Sequence, residues 1–129
     1  MTRPALDVIA DLHDAFASGD PDRIGSVLHP DFEIEQPGSF THGGRYVGLA
    51  GMGEMGAAFA AHWDRSIENP RAWADGDKVF QLTTQTWTSK ATGRSATVDV
   101  FELITIADDK ILEIRVFQQD AALLLATLV

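Results

Sequence analysis

The sequence predicts an α+β domain, with helices packed on one face of a curved antiparallel sheet. Three observations predict it. Apolar residues recur at helical spacing through most of the first half of the chain. After Asn69-Pro70 the period changes to two and stays so almost to the end. The connections within that second half are too short for a crossover, which leaves antiparallel pairing.

The elements follow in order. Leu6, Ile9, Leu12 (with His13 beside it) and Phe16 make residues 4–17 an amphipathic helix. Gly19 suits its left-handed C-cap. Asp20 is an N-cap, Pro21 fits the first helical position and Asp22 favours the positive helix end, so a second short helix starts there. Ile24, Val27 and Leu28 give it an apolar side, and Pro30 stops it. In the strand Asp31 to Gln36, Phe32, Ile34 and Gln36 share one face, so an apolar face ends in an amide. A Gly-rich loop, "PGSFTHGGRYVG", leads to a third helix over residues 49–64, with Met52, Met55, Phe59 and His62 or Trp63 on one side. Strands are expected at about 71–75, 78–88, 95–106 and 111–118, separated by the turn sequences "DGD", "KATG" and "ADD". Asp120 caps a terminal helix over residues 121–128.

The bulk numbers narrow the function. The chain has 129 residues, enough for one domain spanning 1–129, and is 45% hydrophobic, which supports a packed core. Ten Lys+Arg against nineteen Asp+Glu give a net charge of −9, which argues against nucleic acid and anionic membranes as partners. The chain has no cysteine, so disulfides, thiolate nucleophiles and Cys-based zinc sites are excluded. The N-terminus lacks the apolar run of a signal peptide, and "AALLLATLV" is too short to span a bilayer. A cytoplasmic protein is expected.

Three stretches carry a resemblance: "ASGDPDRIGSVLHPDFEIEQP" (17–37), "GRYVGLAGM" (44–52) and "DDKILEIRVFQQDAALL" (108–124). With this element order they resemble the nuclear transport factor 2-like superfamily, and within it the SnoaL-like group. The resemblance implies a cone-shaped curved antiparallel sheet wrapped around the N-terminal helices (a cystatin/NTF2-like roll), a deep apolar pocket and a homodimer through the sheet face. It leaves function open, because this fold carries isomerases, cyclases, epoxide hydrolases, dehydratases and non-catalytic modules.

The resemblance also locates roles. The general base of the family's steroid-type isomerases falls on Gln36, their donor Tyr on Leu12 and their protonated Asp on Asp99. An amide cannot abstract a proton, so that mechanism is not expected. The carboxylate that hydrolase and cyclase members place on the last strand falls on Val116 or Phe117, so the epoxide-hydrolase set is missing too. On the strand Thr97 to Ile106, Asp99 shares a face with Thr97, Phe101 and Leu103; Val98, Val100, Glu102 and Ile104 share the other. If Asp99 lines the pocket, desolvation raises its pKa and makes it an acid/base candidate; otherwise it is a solvated or salt-bridged strand residue.

Asp99 and Gln36 are therefore the expected catalytic residues, with Gln118, Tyr46, His62, Trp63, Phe32, Phe101 and Leu12 expected to bind substrate. Gln36 reads equally as a strand-end amide capping the "PGS" turn. His62, with Asp64 near by, reads also as a surface or packing residue. His42 sits in a loop that could act as a lid, though lone loop histidines are common. Phe80, Leu82, Thr84 and Thr86 are assigned to the pocket and Trp87 to a dimer interface, where aromatics are enriched.

Other motifs fail. "GMGEMG" matches G-x-G-x-x-G but lacks the βαβ context of a dinucleotide site. The histidines at 13, 29, 42 and 62 lack metal-ligand spacing, and no G-x-S-x-G elbow is present. No metal and no cofactor are expected. Three functions stay open: a cofactor-free isomerase, cyclase or dehydratase acting on a small, largely apolar, oxygenated molecule; a non-catalytic binder of such a ligand; or an assembly domain with a vestigial pocket.

Overall fold

A computed structural model describes residues 3–129 of the chain. The order is α1 (Ala5–Ser18), α2 (Pro21–Val27), β1 (Leu28–Gln36), β2 (Gly44–Val47), α3 (Gly48–Ala60), β3 (Trp63–Asp75), β4 (Lys78–Ser89), β5 (Ser95–Ala107), β6 (Lys110–Gln118) and α4 (Ala121–Ala126). The helix boundaries follow local chemistry. Gly19 ends α1 at φ 66°, in the left-handed region. The Asp20 carboxylate accepts from the Asp22 amide and opens α2, with Pro21 at its first position. Asp120 accepts from the Leu123 amide and opens α4.

The strands form one open six-stranded sheet in the order β2-β1-β6-β5-β4-β3. This corrects the expected cone-shaped antiparallel roll: the sheet is mixed, and it is neither closed nor strongly curled. Its edges are β2 and β3. β1 pairs with β6 in parallel, with Ile34 opposite Ile114. Short connections exclude parallel pairing only between successive strands; the long stretch from β1 to β6 permits a crossover. All other neighbours are antiparallel.

Two strands depart from expectation. β3 begins at Trp63, inside the segment read as helix, and Asn69-Pro70 is a register shift within it rather than a boundary. Asn69 takes φ 51° there, and the extra length keeps pairing intact on both sides. β2, four residues long, lies in the segment read as loop. Arg45 on β2 reaches Glu33, Glu35 at 2.7 Å and Glu113 at 3.1 Å, which ties β2, β1 and β6 together on the exposed side.

The core lies between the helices and one sheet face. α1 contributes Val8, Ile9, Leu12 and Ala15. The sheet contributes Phe32 and Ile34 from β1, Val79 and Trp87 from β4, Val98, Val100 and Ile104 from β5, and Ile111 and Ile114 from β6. The loop between β1 and β2 is folded tightly onto this core. Phe40 donates to the Pro37 carbonyl and Gly43 to the Phe40 carbonyl. A Cβ at position 43 would lie 2.4 Å from the Pro37 oxygen, so only glycine fits. The loop is thereby packed down rather than poised as a lid, and it carries His42 inside, only 2% exposed.

Candidate functional site

β4 alternates with almost no irregularity. Val79, Gln81, Thr83, Gln85, Trp87 and Ser89 point inward, and Phe80, Leu82, Thr84, Thr86 and Thr88 point outward. The face assignment made from sequence is thus reversed: Trp87 is 2% exposed and faces the helices, not a partner. The same reversal holds on β5. Val100, Glu102 and Ile104 line the interior, while Asp99 lies on the outer face, where it accepts from Thr84 Oγ1 at 2.8 Å. Asp99 is therefore not a residue of the cavity wall.

The inward residues of this half of the sheet, with α1 and α3 above them, enclose a cavity of about 610 Å³. Its wall is mainly apolar. α1 supplies Leu12 and Phe16, α3 supplies Met52, Met55 and Phe59, and the sheet supplies Ile34, Trp87, Val100, Ile104, Ile114 and Val116. Polar groups interrupt it: Gln36 at the end of β1, His42 from the loop, Arg65 on β3, Gln81, Thr83 and Gln85 on β4, Glu102 on β5 and Gln118 on β6. His13 stands on α1 at the same cavity.

The hydrogen bonds along β4 have a fixed direction. An indole N–H can only donate, and Trp87 Nε1 donates to Gln85 Oε1 at 2.9 Å. That orients the Gln85 amide, whose Nε2 donates to Thr83 Oγ1 at 3.0 Å. Thr83 accepts this bond and keeps its own hydroxyl hydrogen to give away. A chain of donors thus ends at the cavity, each bond polarising the next.

Glu102 lies across from Gln81, which donates to its Oε1 from Nε2 at 3.1 Å. Burial pushes the Glu102 carboxyl above its ordinary pKa, opposed by the Gln81 hydrogen bond and by the charges of Arg65 and His13. His42 stacks on Phe40 at 4.9 Å and meets Phe59 edge-on at 5.3 Å. Burial, with the charge of Arg65 adding to it, lowers the imidazole to about 4, so it is neutral at neutral pH. The Arg65 side chain is exposed along part of its length, yet its guanidinium lies over the Phe59 ring, 5.1 Å from the centroid. Gln36 Nε2 donates to Met55 Sδ at 3.2 Å. Gln36 Oε1, Gln81 Oε1, Gln118 Oε1 and His42 Nδ1 are buried without a partner among the described residues.

Of the residues singled out from sequence, Gln36, Gln118 and Leu12 stand in the cavity wall. Phe32 and Trp63 are buried beside it in the core, the Trp63 indole donating to Thr127 Oγ1 at 2.9 Å. Tyr46 packs at the core's edge, and its hydroxyl faces the Gly43 carbonyl at 3.5 Å. His62 is half-buried against the Trp63 ring. Phe101 is on the outer face, between Phe80 and Phe117. Tyr46, His62, Trp63, Phe32, Phe101 and Asp99 are absent from the wall. Glu102, Arg65, Gln81 and Gln85 are cavity residues outside the expected set, and His42 was expected only as part of a possible lid. One signal would have found Glu102: Val98, Val100, Ile104 and Ile106 are all β-branched aliphatics, and such a row belongs against helices. Among the described residues no group of His, Cys, Asp or Glu is placed to hold a metal ion, and no helix is long and apolar enough to cross a membrane.

Solved structures share this architecture. An NTF2-like protein from Burkholderia xenovorans LB400 superposes with a TM-score of 0.88 at 24% identity, over 100% of this chain and 98% of that one. A second NTF2-like protein, from Burkholderia thailandensis E264, gives 0.87 at 20% identity over 99% of both chains. TerC, co-crystallised with polyporic acid, gives 0.77 at 28% identity, over 91% of this chain and 92% of that one. No curated protein matches the sequence. The fold is thus that of the NTF2-like proteins above; the SnoaL-like domain profile matches residues 9–114, most of the chain, and the protein accordingly belongs to the SnoaL-like domain family.

Proposed function

We propose that the protein takes a small, largely apolar, oxygen-bearing molecule into this cavity and moves a proton on it without a cofactor, as an isomerase, cyclase or dehydratase does. Glu102 handles the proton. One observation carries this reading: a carboxyl in a mainly apolar wall, shifted toward its acid form and oriented by Gln81. Such a group gives a proton to a developing oxyanion, or takes one when ionised. In an isomerisation, the ionised Glu102 removes a proton from the carbon next to a ligand carbonyl. The Thr83 hydroxyl donates to the enolate oxygen that forms. Glu102, now protonated, returns the proton at another carbon, and the protein ends unchanged. Gln36 and Gln118 orient the ligand's hydroxyl groups through their amide oxygens. The role first assigned to Asp99 thus passes to Glu102, three residues along and on the opposite face. TerC's co-crystallisation with polyporic acid supports an oxygenated ligand for a cavity of this fold.

Hydrogen–deuterium exchange at the activated carbon of enolisable ketones such as 2-tetralone, followed by NMR in D₂O, tests the chemistry. The wild type is expected to accelerate exchange, Glu102→Gln to lower the protein-dependent rate by about 100-fold or more, and Thr83→Val by about tenfold. Exchange that survives Glu102→Gln unchanged would remove Glu102 from the role. A second reading, binding without chemistry, is favoured by the amide at position 36, where related isomerases carry their base. Tight binding of polyporic acid with no exchange on any ketone would select it.

We also infer that the outer sheet face joins two copies of the chain. Trp73, 53% exposed, stands opposite Phe80, and Phe80, Phe101 and Phe117 form a row of rings 6.3 and 6.0 Å apart. Interface cores are enriched in aromatic rings of this kind.

A further inference from the structure

We propose that the cavity receives its ligand as an anion, and that Arg65 holds the charged oxygen. This rests on the small-molecule reading above and adds the ligand's charge to it.

The charge inventory of the cavity points that way. Its ionisable side chains are His13, His42, Arg65 and Glu102. His42 is neutral, and burial favours the uncharged form of Glu102. Among the described residues, Arg65 is the one arginine or lysine in the wall, and so its standing cation. It comes from β3, opposite Trp87, at the edge of the sheet. Arg3, Arg45 and Arg115 each sit beside a carboxylate, but Arg65 makes no salt bridge among the described residues. The carboxyl whose charge acts on this guanidinium is Glu102, and burial shifts that group toward its uncharged form.

The geometry also suits an anion. Phe59 covers one face of the guanidinium at 5.1 Å. The ring holds the group by its face and leaves the N–H edge available. That edge is a planar fork that matches a carboxylate, or the paired oxygens of an ionised hydroxyquinone. The partnerless amide oxygens of Gln36, Gln81 and Gln118 are acceptors, suited to ligand hydroxyls rather than to further anionic oxygens. The ligand class is therefore a mainly apolar, hydroxyl-bearing molecule with one anionic group.

A matched pair of probes tests the charge. 2-Hydroxy-1,4-naphthoquinone is ionised at neutral pH, and its 2-methoxy ether is neutral with nearly the same body. Affinities are read by isothermal titration calorimetry, with circular dichroism confirming that each variant is folded. The expected result is that the wild type binds the anion about tenfold or more tightly than the ether. Arg65→Gln is expected to erase the preference while still binding the ether, and Arg65→Lys to keep part of it. Equal affinity for both probes in the wild type, or a preference that survives Arg65→Gln, overturns the anion proposal and leaves the small-molecule reading standing. If polyporic acid and both naphthoquinones all fail to bind the wild type, both readings fall together.

Discussion

His42 carries an imidazole into the aromatic core with Nδ1 unpaired, and its charged form cannot be accommodated there. Its folded pKa, about 4, is below the ordinary imidazole value. It therefore contributes stability that is present above the ordinary value and lost as pH falls toward about 4, up to roughly 3 kcal/mol in all. His42→Phe should abolish that acid-side loss, seen as urea midpoints that no longer fall between about pH 6.5 and 4 on account of this residue. Glu102 acts in the opposite sense. Its folded pKa is raised, so its contribution is present below the ordinary carboxylate range and lost as pH rises through the folded value. Glu102→Gln should be more stable than the wild type at mildly alkaline pH, with the gap closing as pH falls below the carboxylate range; thermal melts across pH check this. Gln36 and Gln118 were legible as cavity residues because each sits at a predictable step of an alternating strand. Asp99 and Trp87 were misplaced for a physical reason. Alternation separates two faces but does not say which one the helices cover, and here the outer face of β4 and β5 carries more aromatic surface than a solvated face would.

Among the elements, α4 is held by a small polar cluster rather than by apolar contact alone. Thr127 accepts from the Trp63 indole, donates to the Leu124 carbonyl at 2.6 Å, and its own carbonyl accepts from Thr92 Oγ1 at 2.5 Å. Thr127→Val keeps the shape and leaves a buried indole N–H without an acceptor, at a cost of about 1–3 kcal/mol in denaturant unfolding. The lesion should show as a blue- or red-shifted Trp63 emission before global unfolding, whereas Trp87, bonded to Gln85, is untouched. The capped helices were readable because Asp20-Pro21 and Asp120 act within one turn of chain. β2 and the first half of β3 were not. Four residues give too little periodicity, and β3 is exposed along nearly its whole length, so no apolar alternation marks it.

The outer sheet face is where the molecule as a whole meets its surroundings. If two copies join there, Phe101→Glu should convert a dimer to a monomer in sedimentation velocity while leaving the circular dichroism spectrum unchanged, since Phe101 lies outside the buried core. The α+β class was legible from the change of hydrophobic period. The cone-shaped, all-antiparallel sheet was not the outcome, because the decisive pairing joins segments far apart in sequence, and no local spacing reports it.

That pairing of β1 with β6 also fixes a timetable for the ribosome. The first strand is translated early, yet its neighbour on that side is among the last segments to emerge, so β1–β2 and β3–β5 share no strand pairing until β6 is made. A nascent chain halted before Lys110 should therefore be cut freely by protease. The same chain released at full length should become resistant in one late step.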